Sequence, residues 1–242
     1  MHNPFLDKER FAYILTKESG ADECVSNGDI DDLYPLSRFV KYKDINAVET
    51  IKELDWYFHT IAQHFAKNKL VLGNHDKRIW KYFEQKGVPI DIIEAWVNFG
   101  YMESLASKYK NINIVKTQVA PPNLGELYHF YILGKDCVVG HWETYSKVNL
   151  RAAENAFLWY HQWQSTLGLP EIKLLLQAHT HALGMRDVWG NKRYGETGCI
   201  CQVQEYTVDG RTGYTPLQSG YWIVIQKNGE TDLKESRYIT LT

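Results

Sequence analysis

The run Leu70-Val71-Leu72-Gly73-Asn74-His75-Asp76 constrains this chain more than any other stretch. Three apolar residues end at a glycine, and an amide, an imidazole and a carboxylate follow in consecutive positions. A short apolar run that stops at glycine reads as a strand giving way to a loop. Polar side chains delivered together at such a point mark the edge at which ligands collect in α/β sheets.

The flanks support a sheet. Upstream, Asp7 to Gly20 reads as a helix with Asp7 as N-cap, Phe11, Ile14 and Leu15 on one face and Gly20 as the stop. Glu23 to Ser26 is a short strand running into Asn27-Gly28-Asp29-Ile30-Asp31-Asp32. An amphipathic helix follows from about Asp44 to Phe65, its apolar positions supplied by Val48, Ile51, Leu54, Trp56, Phe58 and Ile61. Strand, helix and strand in this order predict a right-handed parallel crossover with both polar clusters on one carboxyl edge. Two readings of the three carboxylates stand: a polar turn whose side chains bond their own backbone, or a ligand cluster.

Beyond Asp76, a helix carries Ile79, Trp80, Tyr82 and Phe83, residues 89–109 read as helical, and residues 112–116 as extended. Residues 128–139 form two strands joined at Gly134-Lys135, and the second ends in Gly140-His141-Trp142-Glu143. The aromatic helix from Lys147 to Ser165 has the spacing of a packing face rather than of a base-stacking platform. The apolar strand Ile172 to Leu176 ends in Gln177-Ala178-His179-Thr180-His181, and hairpins turn at Gly190-Asn191 and Asn228-Gly229. Asp29, Asn74, His141, His179 and His181 therefore stand at four separate strand ends. Mixed oxygen and nitrogen donors favour Mn, Fe, Zn, Co or Ni over Mg or Ca.

Composition narrows the setting. With 242 residues, 44% of them apolar, and no internal repeat, one domain spanning residues 1–242 is expected. A formal charge of −2 gives no global field for nucleic acid or an anionic membrane, and no support for the basic strip a nuclease needs. No apolar run reaches the roughly 20 residues of a membrane span, so a cytoplasmic protein is expected. Cys24, Cys137, Cys199 and Cys201 read as reduced structural thiols, since the C-x-C at Cys199 and Cys201 matches no common zinc spacing.

In order, Gly28-Asp29-x-x-Asp32, Gly73-Asn74-His75-Asp76, Gly140-His141 and Ala178-His179-Thr180-His181 resemble the calcineurin-like metallophosphoesterase family, whose motifs run D-x-H, G-D-x-x-D, G-N-H-D/E, G-H and G-H-x-H. The resemblance spans residues 2–181, and Gly-Asn-His-Asp is its most specific block. Residues 33–39 and Gly198-Cys199-Ile200-Cys201 are similar to a bacterial and phage branch of that family.

The resemblance implies an α/β fold of two facing mixed β-sheets flanked by helices, a four-layer sandwich. It implies two divalent metal ions, manganese foremost, bridged by Asp29; Asn74, His141 and His179 complete one position, and His181 and His2 the other. It implies hydrolysis of a phosphate ester, phosphodiesters first and nucleotides or nucleic acid among them, by a hydroxide held between the metals. His75 would stabilise the transition state or protonate the leaving group, with Asp76 orienting it. Arg78 has two readings, a phosphate contact or a solvated helix charge, and Arg38 and Lys147 are further cations for the first.

Three departures from the pattern carry expectations of their own. The first-motif aspartate would fall immediately before Met1, together with the first strand, which leaves a metal-deficient relative acting as a binding protein as the competing function. His2 itself reads either as the first-motif histidine or as part of a frayed terminus. Ala178 replaces a glycine, and Trp142 is expected to narrow the substrate entrance.

Overall fold

The computed structural model describes residues 1–37, 44–89, 91–92, 101–115, 130–203 and 217–242. Arg38 and Phe39, most of the N-terminal half of the expected 89–109 helix, Lys116 and the first two residues of the 128–139 strand pair lie outside these.

Two sheets carry the architecture. In the first, β1 (Cys24–Asn27), β2 (Asn68–Val71) and β3 (Ile112–Ile114) run parallel in the order β1-β2-β3. Helix α1 (Lys8–Lys17) precedes β1, and α2 (Ala47–His64) makes the crossover from β1 to β2. Both helices start on local signals. The Asp7 carboxylate accepts the Arg10 N–H at 3.1 Å, and Asn46 and Glu49 close a reciprocal capping box. Phe11, Ile14 and Leu15 of α1 and Leu54, Tyr57, Phe58 and Ile61 of α2 pack on this sheet against Leu70 and Ile112.

Both helices depart from expectation. Helix α1 stops at Lys17, where the Glu18 N–H returns to the Ile14 carbonyl, before Gly20 is reached. In α2 the expected core positions Val48, Ile51 and Trp56 are exposed. At 3.6 residues per turn, the stripe through Leu54, Phe58 and Ile61 also collects Thr50 and Tyr57, while Val48 and Trp56 fall on the far side. The Trp56 ring lies there under the Lys8 ammonium, 4.6 Å from its centroid.

The second sheet is mixed and has the order β4-β5-β6-β8-β7: β4 (Phe130–Leu133), β5 (Cys137–Gly140), β6 (Leu174–Gln177), β8 (Lys192–Thr197) and β7 (Leu183–Val188). β5 and β6 are parallel and wholly buried, which accounts for their unbroken apolar sequences. Alternation splits their side chains between two layers. Val138 and Leu175 face Ala153, Ala156, Phe157 and Tyr160 of α4 (Arg151–Trp163); the short helix Tyr101–Ala106 packs against β3 and α2, and α3 (Arg78–Gln85) against the turn at Tyr34–Leu36. Cys137, Val139, Leu174 and Leu176 face the other way, where Val25 of the first sheet meets them. Burial of each such aliphatic side chain contributes about 1.5–3 kcal/mol.

The molecule is thus a mixed α/β assembly, with sheets between helices. A two-stranded antiparallel pair, β9 (Gly220–Ile223) with β12 (Arg237–Thr240), and the hairpin β10 (Gln226–Lys227) with β11 (Glu230–Thr231) complete the described strands. Both expected hairpin turns have two consecutive left-handed residues, Gly190-Asn191 and Asn228-Gly229, as such two-residue turns require. No described helix is long and apolar enough to cross a membrane.

Candidate metal centre

Parallel strands place their polar successors on one side. Asp29 follows β1, Asn74 follows β2, His141 follows β5 and His179 follows β6, so the carboxyl ends of both sheets converge. His2 arrives separately. Its N–H bonds the Asp29 carbonyl at 2.6 Å, and the Asn3 N–H bonds the Ile30 carbonyl at 2.9 Å, laying the N-terminal segment alongside residues 29–32. The ring is 1% exposed, which removes the frayed-terminus reading of His2.

Among the described residues, the ligand atoms of Asp29, His141 and His179 lie within 4.8 Å of one another, as do those of His2, Asp29 and His75. Asp29 belongs to both groups. His141 Nε2 lies 3.3 Å from Asp29 Oδ2 and 3.1 Å from Asn74 Oδ1, and His179 Nδ1 lies 2.9 Å from the same amide oxygen. His181 reaches the second group through His2, with the two Nε2 atoms 2.8 Å apart. All six residues expected as ligands are therefore brought together.

Electrostatics shows what the cluster is short of. His141 Nδ1 faces the Asn27 carbonyl at 3.1 Å and His2 Nδ1 faces Asp32 Oδ1 at 2.9 Å, so each ring is committed as a donor on its outer side. In the neutral rings the inner Nε2 atoms are lone pairs, aimed at a carboxylate, an amide oxygen and another imidazole. His181 can carry its hydrogen on Nε2 toward His2, but His141 faces acceptors through both nitrogens, and acceptors converging on acceptors need a cation between them. Burial disfavours charge on His141, yet Asp29 raises its pKa above the ordinary value, so the site favours positive charge at this nitrogen. His2 and His179 are held down to about 4, by burial first. Neutral imidazoles, a carboxylate and an amide oxygen fit a divalent cation of the intermediate class.

The backbone carries the same message. His2, Asp29, His179 and His181 all have positive φ, between 47° and 80°, and Leu33 beside them has 45°. Each non-glycine residue so placed costs on the order of 1–3 kcal/mol, which folds tolerate where side-chain aim matters more than backbone comfort.

Two expected roles change. Asp76 does not orient His75: its carboxylate accepts the N–H groups of Gly73 at 2.7 Å, Ile30 at 3.0 Å and Asp31 at 2.9 Å, tying the loops after β1 and β2 together. Burial and the neighbouring Asp29 raise its pKa to about 6. Asp32 holds His75 instead, through Nδ1 at 2.7 Å. Arg78 turns inward. Its Nη1 donates to Asp32 Oδ2 at 3.0 Å and to the Asp32 carbonyl, and its Nη2 meets His75 Nε2 at 3.0 Å, so the solvated helix charge does not describe it. Of the other cations, Lys147 is exposed ahead of α4.

Asp32, the second carboxylate of G-D-x-x-D, has no role in the expected set, yet it is the shared partner of His2, His75 and Arg78. Trp142 also departs from expectation. It is buried against Phe130, rings stacked 5.9 Å apart, and does not line an entrance.

The C-x-C adjoins the centre. Cys199 and Cys201, both buried, share a hydrogen bond that pulls the Cys199 thiol down to about 7 and pushes Cys201 up. Together with His181 they make a third group of potential ligands within 4.8 Å.

No family model and no curated protein matches the chain. Solved structures similar to it include a Streptococcus pneumoniae protein described as a conserved uncharacterized protein and predicted phosphoesterase, at 12% identity over 77% of this chain and 88% of that one, with a TM-score of 0.32. A Thermotoga maritima protein solved by NMR is similar at 9% identity, over 74% of this chain and 83% of that one, with a TM-score of 0.30.

Proposed function

We propose that this chain is a metal-dependent hydrolase of phosphate esters, with phosphodiesters preferred. The observation that carries the reading is the buried Asp29 carboxylate, shared between two histidine groups, with His141 facing acceptors through both ring nitrogens. Asn74, His141 and His179 with Asp29 would hold one divalent ion, and His2 and His181 with Asp29 a second, manganese being the first choice for such a mixed donor set. Bound there, the ions would supply Lewis acidity and a water acidified toward neutral pH.

The chain's own groups would do the rest. Asp32 fixes the His75 ring by accepting from Nδ1, so Nε2, which meets Arg78 Nη2 in this structure, is the atom that would exchange a proton with the leaving oxygen. Arg78, braced on Asp32, stands beside that same nitrogen as a fixed positive charge toward phosphoryl oxygens during turnover. Asp76 holds both loops in place by its three backbone contacts.

The test is hydrolysis of bis(p-nitrophenyl) phosphate and p-nitrophenyl phosphate by purified protein with Mn²⁺. Activity should be abolished by chelation and by His141→Ala, with metal content falling in the variant, and reduced by His75→Ala, typically by about 10²–10⁴-fold, with metal retained. A protein that retains metal but cleaves neither ester, with and without His75, would sink the proposal.

A further inference from the structure

The thiol pair beside His181 has no part in the chemistry above. Cys199 and Cys201 sit around the short bridge from Cys199 to Ser219, and the Leu6–Cys201 bridge ties the same segment to the N-terminal stretch that carries His2. Both sulfurs are buried, 6% and 2% exposed by residue, while His181 is partly open. All three ligand atoms lie within 4.8 Å of one another.

We propose that His181, Cys199 and Cys201 form a thiolate-rich metal position next to the His/Asp centre, one that takes a thiophilic divalent ion such as Zn²⁺. Three arguments support it. Zn–S bonds of about 2.3 Å and Zn–N bonds of about 2.0–2.1 Å place tetrahedral ligand atoms about 3.5–3.8 Å apart, inside the observed limit. Two thiolates and a neutral imidazole around a divalent ion sum to zero charge, the arrangement that burial penalises least. Sulfur donors also favour Zn²⁺ over Mn²⁺, the first choice for the neighbouring carboxylate, amide and imidazole set, so the two positions differ in preference. Three protein ligands leave a fourth position, on the partly open His181 side.

The C-x-C spacing hid this site because the third ligand is 18 residues away from Cys199 and its ring is placed by a left-handed backbone. His181 is common to both positions, so a thiophilic ion held by the cysteines competes for it with the harder centre. Ligation by sulfur is read without turnover, so this position stands apart from phosphoester chemistry.

The experiment is a Co²⁺ titration of the reduced, metal-free full chain, followed by near-ultraviolet absorption. A sulfur-to-cobalt charge-transfer band is expected, lost in Cys199→Ser and in Cys201→Ser and kept in Cys24→Ser and Cys137→Ser. Added Zn²⁺ should abolish the band and protect Cys199 and Cys201, mapped by mass spectrometry, from alkylation. Circular dichroism of the serine variants checks their folding, and the alkylation readout on the unaltered chain needs no variant. A cobalt spectrum of oxygen and nitrogen ligation alone, unchanged in the double serine variant, would overturn the site. So would equal alkylation with and without Zn²⁺, or a Cys199–Cys201 disulfide that persists under reductant.

Discussion

Replacing Asp32 with asparagine removes one charge and leaves the shape. Asp32 is 1% exposed and serves three donors: His2 Nδ1 and His75 Nδ1 on Oδ1, and Arg78 Nη1 on Oδ2. An amide has one acceptor and one donor end. With its oxygen toward the imidazoles it presents N–H₂ to the guanidinium; flipped, it presents N–H₂ to two ring N–H groups. Either way a buried donor faces a donor. The Arg78 side chain, 14% exposed, also loses its counter-ion. Breaking a buried pair from one side costs about 3–5 kcal/mol; because Arg78 keeps the Asp32 carbonyl, the lower end, about 3 kcal/mol, is expected here.

Urea unfolding of the metal-free protein, followed by tryptophan fluorescence, measures the loss as a shift in midpoint at constant slope. Adding Arg78→Met to Asp32→Asn should recover part of it, since the unpaired cation is then gone. The same substitution replaces the charged acceptor of the His2 ring with a neutral one, and weakening a partner that orients a ligand typically lowers metal affinity by about 10–100-fold. A destabilisation under about 1 kcal/mol, or strict additivity with Arg78→Met, would refute the assignment of Asp32 as the anchor of this network.

Other perturbations separate the remaining parts. A Cβ on Gly73 would run into the Asp29 carboxylate and backbone nitrogen, so Gly73→Ala should cost about 1–3 kcal/mol and lower metal retention, whereas Gly20→Ala, which meets nothing within 4 Å, should do neither; metal content and thermal melts of the two variants decide. Burial raises Asp31 from 3.8 to about 7 even though Tyr101 and Leu33 donate to it. A raised folded-state pKa favours the fold below 3.8 and loses that stability as pH rises through about 7. Asp31→Asn in the metal-free protein should therefore gain stability relative to the unaltered chain between those limits, on the order of 4 kcal/mol in total, and a difference flat with pH would reject the shift. Saturating divalent metal at about 100 times Kd should add about 2.7 kcal/mol to unfolding, visible as a higher Tm that chelation reverses; a Tm indifferent to metal would count against the centre.

The parts of this site legible in the sequence are those that local rules fix. A strand that ends in a polar residue delivers it to a known edge, and parallel order makes four such edges one place; that was enough to gather Asp29, Asn74, His141, His179 and His181. What each side chain then touches depends on residues 30 to 46 positions away, as for His2, His75 and Arg78 on Asp32, and no periodicity records such pairings. The dipeptide His75-Asp76 invites the inference of a coupled pair, yet neighbours on a loop point in different directions, and these two divide between Asp32 and the backbone. Helix α2 erred for a related reason: apolar type alone does not choose a face when Thr50 and Tyr57 complete the stripe better than Val48 and Trp56 do.

The left-handed backbone at His2, Asp29, His179 and His181 links these two levels. Glycine would relieve the strain at each position but would remove the donor, so the residue types there are intelligible only if the side chain is what the backbone is bent to deliver. Leu33, with the same backbone sign and no donor, fits the account differently: its N–H bonds the Asp31 carboxylate, which closes the turn carrying Asp32 toward His2 and His75. Strain is thus spread over the ligands and over the turn that aims their anchor, and the energy that offsets it has to come from the core layers on either side of the sheets. A core truncation such as Leu175→Ala, remote from the centre in the layer against α4, should for that reason cost about 2–5 kcal/mol of stability while leaving the metal content of the folded fraction intact. Loss of metal without loss of fold in that variant would show that the centre's geometry depends on the packing itself rather than on the local bonds among Asp29, Asp32 and Asp76.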